Sequence, residues 1–252
     1  MFLDGPRDIM ASFSMLRYDL MISTRASFIN ELSEVDQKLL RMGGMVRGMI
    51  VDAVDSFVNG ELALVETVFS NDDYVDSIDD DIESTGLRLL ALQQPMARDL
   101  RRVSSALKVS SELERIGDHA VEIARYARKI HRECFPPRPL IDLAAMATAT
   151  EKMLDDSLSA FVHGDIELID RICRDDDVVD AEYKSLREQL IQIGTRDSAM
   201  VAAASYTLIA IGSIERVADH ATNIAERVAY IETGSLRRLA RRRKPEPEES
   251  AS

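Results

Sequence analysis

The sequence predicts an all-α fold: a tandem duplication of a three-helix bundle, with six long helices. Three observations carry that expectation. Glu114-Arg115-Ile116-Gly117-Asp118-His119-Ala120 returns as Glu215-Arg216-Val217-Ala218-Asp219-His220-Ala221, with five of seven residues identical. A charged heptapeptide that recurs after about a hundred residues marks an internal repeat. The composition is 46% apolar yet only 5% aromatic, with no Trp, which favours helix-on-helix packing. Apolar residues also recur with a helical period through long stretches of the chain.

Each unit reads as three helices. The first begins near Ser27, with Leu32, Val35, Leu39, Met42, Val46, Ile50 and Val54 on one face. Gly43-Gly44 inside this pattern indicates close packing against a neighbour, and Asn59-Gly60 marks a turn. The second runs from about Glu61, with Val75, Ile78, Ile82 and Leu89 on one face, to a stop near Pro95. The third spans about Ala97 to Arg132. Cys134-Phe135-Pro136-Pro137-Arg138-Pro139 is the strongest breaker in the chain. The second unit repeats the plan at about 140–162, 165–194 and 197–233, with Gly164 and Gly194 near the turns. Phe57-Val58-Asn59-Gly60 matches Phe161-Val162-His163-Gly164, and Asp72-Asp73-Tyr74-Val75-Asp76 matches Asp176-Asp177-Val178-Val179-Asp180. The expected organisation is an N-terminal extension at 1–25, a first repeat at 26–133, a linker at 134–139, a second repeat at 140–234 and a disordered charged tail at 235–252. In the tail, Arg237-Arg238 and Arg241-Arg242-Arg243-Lys244 precede a Pro/Glu run.

The net charge of −13 argues against a general nucleic-acid binder, because phosphate backbones need a basic surface. The acids suit cations or basic partner surfaces instead. Cys134 and Cys173 hold non-equivalent places in the two units and have no metal-like spacing, so reduced thiols are expected. No apolar run reaches membrane-spanning length, and no direct membrane insertion is expected. Asp4, Gly5, Pro6, Arg7 and Asp8 stand where a signal peptide would have its apolar core. Together these features give a cytoplasmic expectation.

The repeated heptapeptide carries acids four residues apart, Glu114/Asp118 and Glu215/Asp219. On a helix these lie one turn apart on one face, where like charges cost about 0.2–0.5 kcal/mol. Asp72/Asp76 and Asp176/Asp180 occupy a comparable flank of the preceding helix, whereas Asp79 and Asp80 become Tyr183 and Lys184 and are poorer candidates. Two neighbouring helices with a carboxylate pair each offer an oxygen-rich site for Mg²⁺, Mn²⁺, Fe or Zn²⁺. A solvated acidic flank salt-bridged by Arg115, Arg125 and Arg216 fits the same letters. His119 and His220 point away from these acids on the helical wheel and read as packing or hydrogen-bonding residues. Di-iron bundles use Glu-x-x-His at i,i+3, which is absent here. That spacing disfavours the alternative of a carboxylate-bridged metal-storage bundle or di-metal enzyme. No nucleophile–base pair, phosphate-cradling loop or dinucleotide fingerprint demands an enzyme, and no catalytic residue is assigned.

With these residues in place, the chain resembles the PhoU family, regulators of phosphate uptake. The resemblance rests on Gln94-Pro95-Met96-Ala97-Arg98-Asp99-Leu100-Arg101, on Leu113-Glu114-Arg115-Ile116-Gly117-Asp118, and on Ile214-Glu215-Arg216-Val217-Ala218-Asp219 in the second unit. It covers about residues 26–234. It implies two three-helix bundles side by side and multinuclear metal sites, here Asp72/Asp76 with Glu114/Asp118 and Asp176/Asp180 with Glu215/Asp219. The implied metals are Fe, Zn, Mn or Mg. Ala218 stands where the family usually has Gly. The resemblance further implies a homodimeric, non-enzymatic negative regulator. Its implied partners are the ATPase subunit of a phosphate ABC transporter and a phosphate-sensing histidine kinase.

Overall fold

The computed structural model describes residues 6–133 and 140–235, with side chains from residue 25 onward. Six helices follow one another: α1 (Pro6–Asn59), α2 (Leu62–Gln93), α3 (Arg98–Arg132), α4 (Ala144–His163), α5 (Glu167–Arg196) and α6 (Val201–Thr233). A single 3₁₀ turn, Ser198–Met200, leads into α6. No strand occurs among the described residues, as the sequence predicts. The boundaries differ most at the start of α1, with smaller shifts elsewhere: α4 begins at Ala144 rather than about 140, and α6 at Val201 rather than about 197. α1 starts at Pro6 rather than near Ser27; proline suits the first turn of a helix, and no breaker interrupts the stretch that follows. α5 runs through Gly194 to Arg196 and ends on Asp197. The predicted linker at 134–139 and the tail beyond residue 235 lie outside the described residues.

α1, α2 and α3 pack mutually, as do α4, α5 and α6. In α1, Val35, Leu39, Met42, Val46, Ile50 and Val54 are buried, the stripe that the periodicity requires. Gly60, at φ 76°, and Gly164, at φ 67°, make the first turn of each unit in the left-handed region where glycine carries no Cβ penalty. The α2–α3 connection is made without glycine. Gln94 (φ 46°, ψ 54°) and Ala97 (φ 49°, ψ −116°) both take positive φ, a strained choice for residues with a Cβ.

The two bundles join through α3 against α6, with a smaller contact of α1 on α4. α3 and α6 run antiparallel. Near one end Arg98 Nη2 donates to both Glu232 carboxylate oxygens (2.7 and 3.0 Å), and Arg101 Nε donates to the Ile231 carbonyl (3.1 Å). At the other end Lys129 Nζ lies 4.3 Å from the Tyr206 ring centroid, and Tyr126 sits beside the same ring. At the centre His119 stacks on His220, their ring centroids 5.4 Å apart. Burial and the neighbouring His220 push the His119 imidazole down to about 4, so it packs as a neutral ring.

The hydrogen bonds around this stack obey the duplication. A shift of 101 positions carries His119 onto His220, Glu112 onto Ser213 and Glu122 onto Asn223. Glu112 Oε2 accepts from Asn223 Nδ2 (3.0 Å), and Glu122 Oε2 accepts from Ser213 Oγ (2.6 Å). Each bond is the image of the other under the repeat, so a pseudo-twofold axis passes through the His119–His220 stack. Glu112 additionally accepts from His220 Nδ1 at 2.6 Å. Burial raises the Glu112 carboxyl, but the hydrogen bonds from His220 and Asn223 outweigh it and hold the group below its ordinary range.

α6 is long and apolar enough to cross a membrane on those criteria alone. Its residues Ile211, Ile214, Val217, Ala221, Ile224 and Val228 are buried in the core, which accounts for its apolar character without a lipid environment.

Two outcomes are expected in denaturant unfolding. A Cβ added at Gly43 would lie 2.4 Å from Leu158 Cδ1, whereas nothing lies within 4 Å of one added at Gly44. Gly44→Ala is expected to stabilise by about 0.5–1 kcal/mol, and Gly43→Ala to fall below it by about 1–3 kcal/mol because Leu158 must move. Glu112→Ala leaves the His220 and Asn223 donors without their acceptor and is expected to cost about 1.5–3 kcal/mol. A Glu112→Ala/His220→Ala cycle with no coupling would remove the assigned role of this bond.

Candidate functional site

The acidic residues of the first unit gather where its three helices meet. Val68, Val75, Ile82 and Leu89 bury one stripe of α2, while Leu113, Ile116, Gly117, Ala120, Ala124 and Ala127 bury one stripe of α3. Asp72 and Asp76 border the first stripe; Glu114 and Asp118 border the second. Gly117 fixes how closely they approach. A Cβ there would meet Asp72 Oδ1 at 3.3 Å, Val75 Cγ1 at 3.5 Å and Met49 Cε at 3.6 Å, atoms of α2 and α1. The missing side chain at Gly117 thus makes room for the Asp72 carboxylate against α3.

The electrostatics confirm that the four acids share one region. Burial, followed by repulsion from Asp76, Asp118 and Asp73, pushes the Asp72 carboxyl from 3.8 up to about 6, with Arg125 opposing. Asp76 is raised by burial, then by Asp118, Asp73, Asp79 and Asp80. Glu114 is raised by burial, then by Asp118, Asp76 and Asp79, with Arg115 opposing. Asp72 and Glu114 are half-buried and Asp76 and Asp118 exposed, and carboxylates that share such a flank disfavour one another's charge.

The second unit builds the same arrangement on α5 and α6. A shift of 104 carries Asp72 onto Asp176 and Asp76 onto Asp180. Asp176 is buried at 7% exposure, deeper than half-buried Asp72. Glu215 is raised by burial, then by Asp219 and Asp180, with Arg216 opposing and Asp176 adding to the rise. Ala218, fully in the core, takes the place of Gly117.

All eight predicted residues therefore fall into two groups of four, one per unit. Asp79, set aside in the sequence because its counterpart is Tyr183, acts on both Asp76 and Glu114. Its position three residues after Asp76, one turn along the same flank, is the signal that places it there. His119 and His220 belong to neither group, being turned onto each other at the pseudo-twofold axis. Arg125 opposes the rise at Asp72, Arg115 that at Glu114 and Arg216 that at Glu215, while the ion pair of Arg216 is with Glu122.

Among the described residues no three His, Cys, Asp or Glu side chains converge at metal-ligand spacing. The donor set itself is all-carboxylate, with a cradle at Gly117 and raised carboxyls at Asp72, Asp76, Glu114 and Glu215. By donor chemistry alone, and not by spacing, an all-carboxylate set suits a hard cation, which takes oxygen ligands.

Comparison with known proteins agrees with this architecture. The PhoU domain model matches twice, over residues 39–127 and 143–228, and each match contains one carboxylate group. The phosphate-specific transport system accessory protein PhoU homolog of Clostridium acetobutylicum is 32% identical over 213 residues, spanning 84% of this chain and 96% of that protein. Its counterpart in Pseudomonas aeruginosa is 34% identical over 208 residues, spanning 82% and 86%. The crystal structure of PhoU from Pseudomonas aeruginosa superposes with a TM-score of 0.79, covering 82% of this chain and 100% of that one at 34% identity. The phosphate transport system regulatory protein PhoU from Streptococcus pneumoniae gives a TM-score of 0.75 at 31% identity, covering 83% and 98%. The doubled three-helix bundle, with its signature in both halves, belongs to the PhoU family.

Proposed function

We propose that this chain is a regulator of phosphate uptake and phosphate-starvation signalling, acting as a metal-binding adaptor on the cytoplasmic side of a phosphate transporter. The observation that carries the reading is the family membership in both units, together with relatives named as accessory and regulatory proteins of phosphate transport. Its partners in this reading are the ATPase subunit of a phosphate ABC transporter and a phosphate-sensing histidine kinase, with a homodimer as the working form. The role is regulatory rather than catalytic.

Asp72, Asp76, Glu114 and Asp118 would hold metal in the first unit, and Asp176, Asp180, Glu215 and Asp219 in the second. The bound ion supplies positive charge that satisfies the acids on each flank. An all-carboxylate donor set favours Fe, Mn or Mg over Zn²⁺, whose protein sites are usually rich in nitrogen or sulfur. The protein residues supply the remainder: α2 and α3, or α5 and α6, carry the donors at fixed register, and the apolar stripes beneath them hold the helices apart at a set distance. A filled site cross-links two helices of one bundle and thereby fixes the surface offered to a partner.

Two measurements test this. Elemental analysis of the purified protein is expected to show metal that falls in Asp118→Ala to the content of the second unit alone, and in Asp219→Ala to that of the first. Equal metal content in all three proteins would leave only a salt-bridged acidic face. Deleting the gene is expected to derepress phosphate uptake and starvation genes; unchanged uptake and expression would overturn the regulatory reading while leaving the metal result standing.

A further inference from the structure

Large apolar side chains stay exposed at matching places in the two units. The shift of 104 that relates α2 to α5 carries Leu62 onto Ile166 and Leu87 onto Ile191. The shift of 101 that relates α3 to α6 carries Leu100 onto Val201. All six are exposed. A single exposed apolar residue needs no explanation. Here the same positions remain apolar and uncovered in both copies, while nearby letters change from Asp79 to Tyr183, from Asp80 to Lys184 and from Gly86 to Leu190.

These positions share a face with the acids. Leu62, Asp76 and Leu87 stand 14 and 11 residues apart on α2, about four and three helical turns. Leu100, Glu114 and Asp118 stand 14 and 4 apart on α3, about four turns and one. Each set therefore forms one line along its helix. The two lines flank one groove: a Cβ at Gly86, next to Leu87, would lie 2.5 Å from Leu107 Cδ2. In the second unit Ile191, Val201 and Leu208 line a common recess of about 300 Å³. α1 touches α4 across the seam. The outer groove of α2 and α3 opens away from α1, as that of α5 and α6 opens away from α4, so both open on the same side of the molecule. The pseudo-twofold axis relates two antiparallel helices packed side by side. It runs perpendicular to the plane that contains them and emerges at the middle of this face. The two carboxylate groups lie around it. Leu100 and Val201 lie farther out, each 19 residues from the histidine of its own helix, about 28 Å at 1.5 Å per residue.

We propose, resting on the adaptor reading above, that this face docks a twofold-symmetric protein: a homodimer with basic side chains near its axis and an apolar contact farther out on each subunit, bound as one chain per dimer. A partner that meets both units through the same contact must present that contact twice about a twofold axis. Four carboxylates in each unit exceed the charge of one divalent ion, so the centre of the face stays negative with such an ion bound and complements a basic surface. A second copy of this chain does not suit the face, because its own acids would meet these at the axis. Nucleic acid is repelled by the same charge.

The test mixes the full chain with each purified partner of the adaptor reading, the transporter ATPase subunit and the cytoplasmic part of the kinase. Native mass spectrometry reads the stoichiometry and titration calorimetry the affinity. One chain per two partner subunits is expected. Leu87→Asp and Ile191→Asp are each expected to weaken binding at least about tenfold, by similar amounts, and the double variant to abolish it. Leu40→Asp is the control: Leu40 is also exposed but lies on α1, and its counterpart is Ala144, so no change is expected. Circular dichroism checks that the variants keep their helices. A one-to-one complex, an effect of only one of the two substitutions, or unchanged binding in the double variant would overturn the proposal and leave the adaptor reading standing. So would self-association of the chain that Leu87→Asp abolishes, since a second copy would then occupy the face. Binding to neither partner would overturn both.

Discussion

The packing of α3 against α6 is the contact on which the rest of the molecule depends. Each of these helices is the central element of its own bundle and must bury apolar surface on two sides: towards its own partners and across the seam. The apolar stripe with Gly117, Ala120, Ala124 and Ala127 serves the first purpose, and Glu112, His119, Glu122 and Tyr126 face Ser213, His220, Asn223 and Tyr206 across the seam. At the centre of the seam the stacked His119 and His220 rings are flanked by Glu112–Asn223 and Glu122–Ser213, so polar groups withdrawn from water keep partners. Because Asp118 and Asp219 immediately precede the two histidines, fixing the histidines inward turns both carboxylates outward. One seam thus sets the orientation of both acidic flanks.

On those flanks, burial and charge work against each other. An isolated exposed carboxylate costs the fold nothing, but Asp72 is drawn against α3 by the gap at Gly117 and raised to about 6. The second unit places Asp176 deeper still while filling the glycine gap with Ala218. The two copies therefore reach a similar acidic surroundings with different local packing. The opposite end of the first bundle has the reverse character, with paired carboxylates, exposed apolar side chains and arginines. Among the described residues the acidic groups lie at mid-helix, and the arginine-paired carboxylates Asp99, Glu232 and Asp36 lie towards the α2–α3 turn.

The fold was legible because helices announce themselves locally. The stripe from Val35 to Val54, the Asn59-Gly60 turn and the stop before Pro95 each follow from nearest-neighbour chemistry and appear where expected. The start of α1 was not legible, since the signal sought there was a second copy of the repeat and the helix runs upstream of it without one. Gly194 falls two residues before the end of α5 at Arg196, near the turn as expected. The grouping of the acids in fours was visible as paired spacings on successive helices. The contribution of Asp79 was not, because identity with the second copy was used as the filter and Tyr183 removed it.

By itself, the sequence determined the helix count, the duplication, the core stripes and the register of the acid pairs, all properties that depend on residues within a few turns of one another. The family resemblance came from the same letters. Only the tertiary structure decided that the two histidines meet each other, that the Glu112–Asn223 and Glu122–Ser213 bonds are related by a pseudo-twofold axis, and that Gly117 makes room for Asp72. It also placed the end of α6 against the start of α3, with Arg98 on Glu232 and Arg101 on the Ile231 carbonyl. These are contacts between residues from 45 to more than 130 positions apart, and no local pattern encodes them. They arise when the apolar stripes of six helices are buried together and the polar groups left at the seams find their nearest partners.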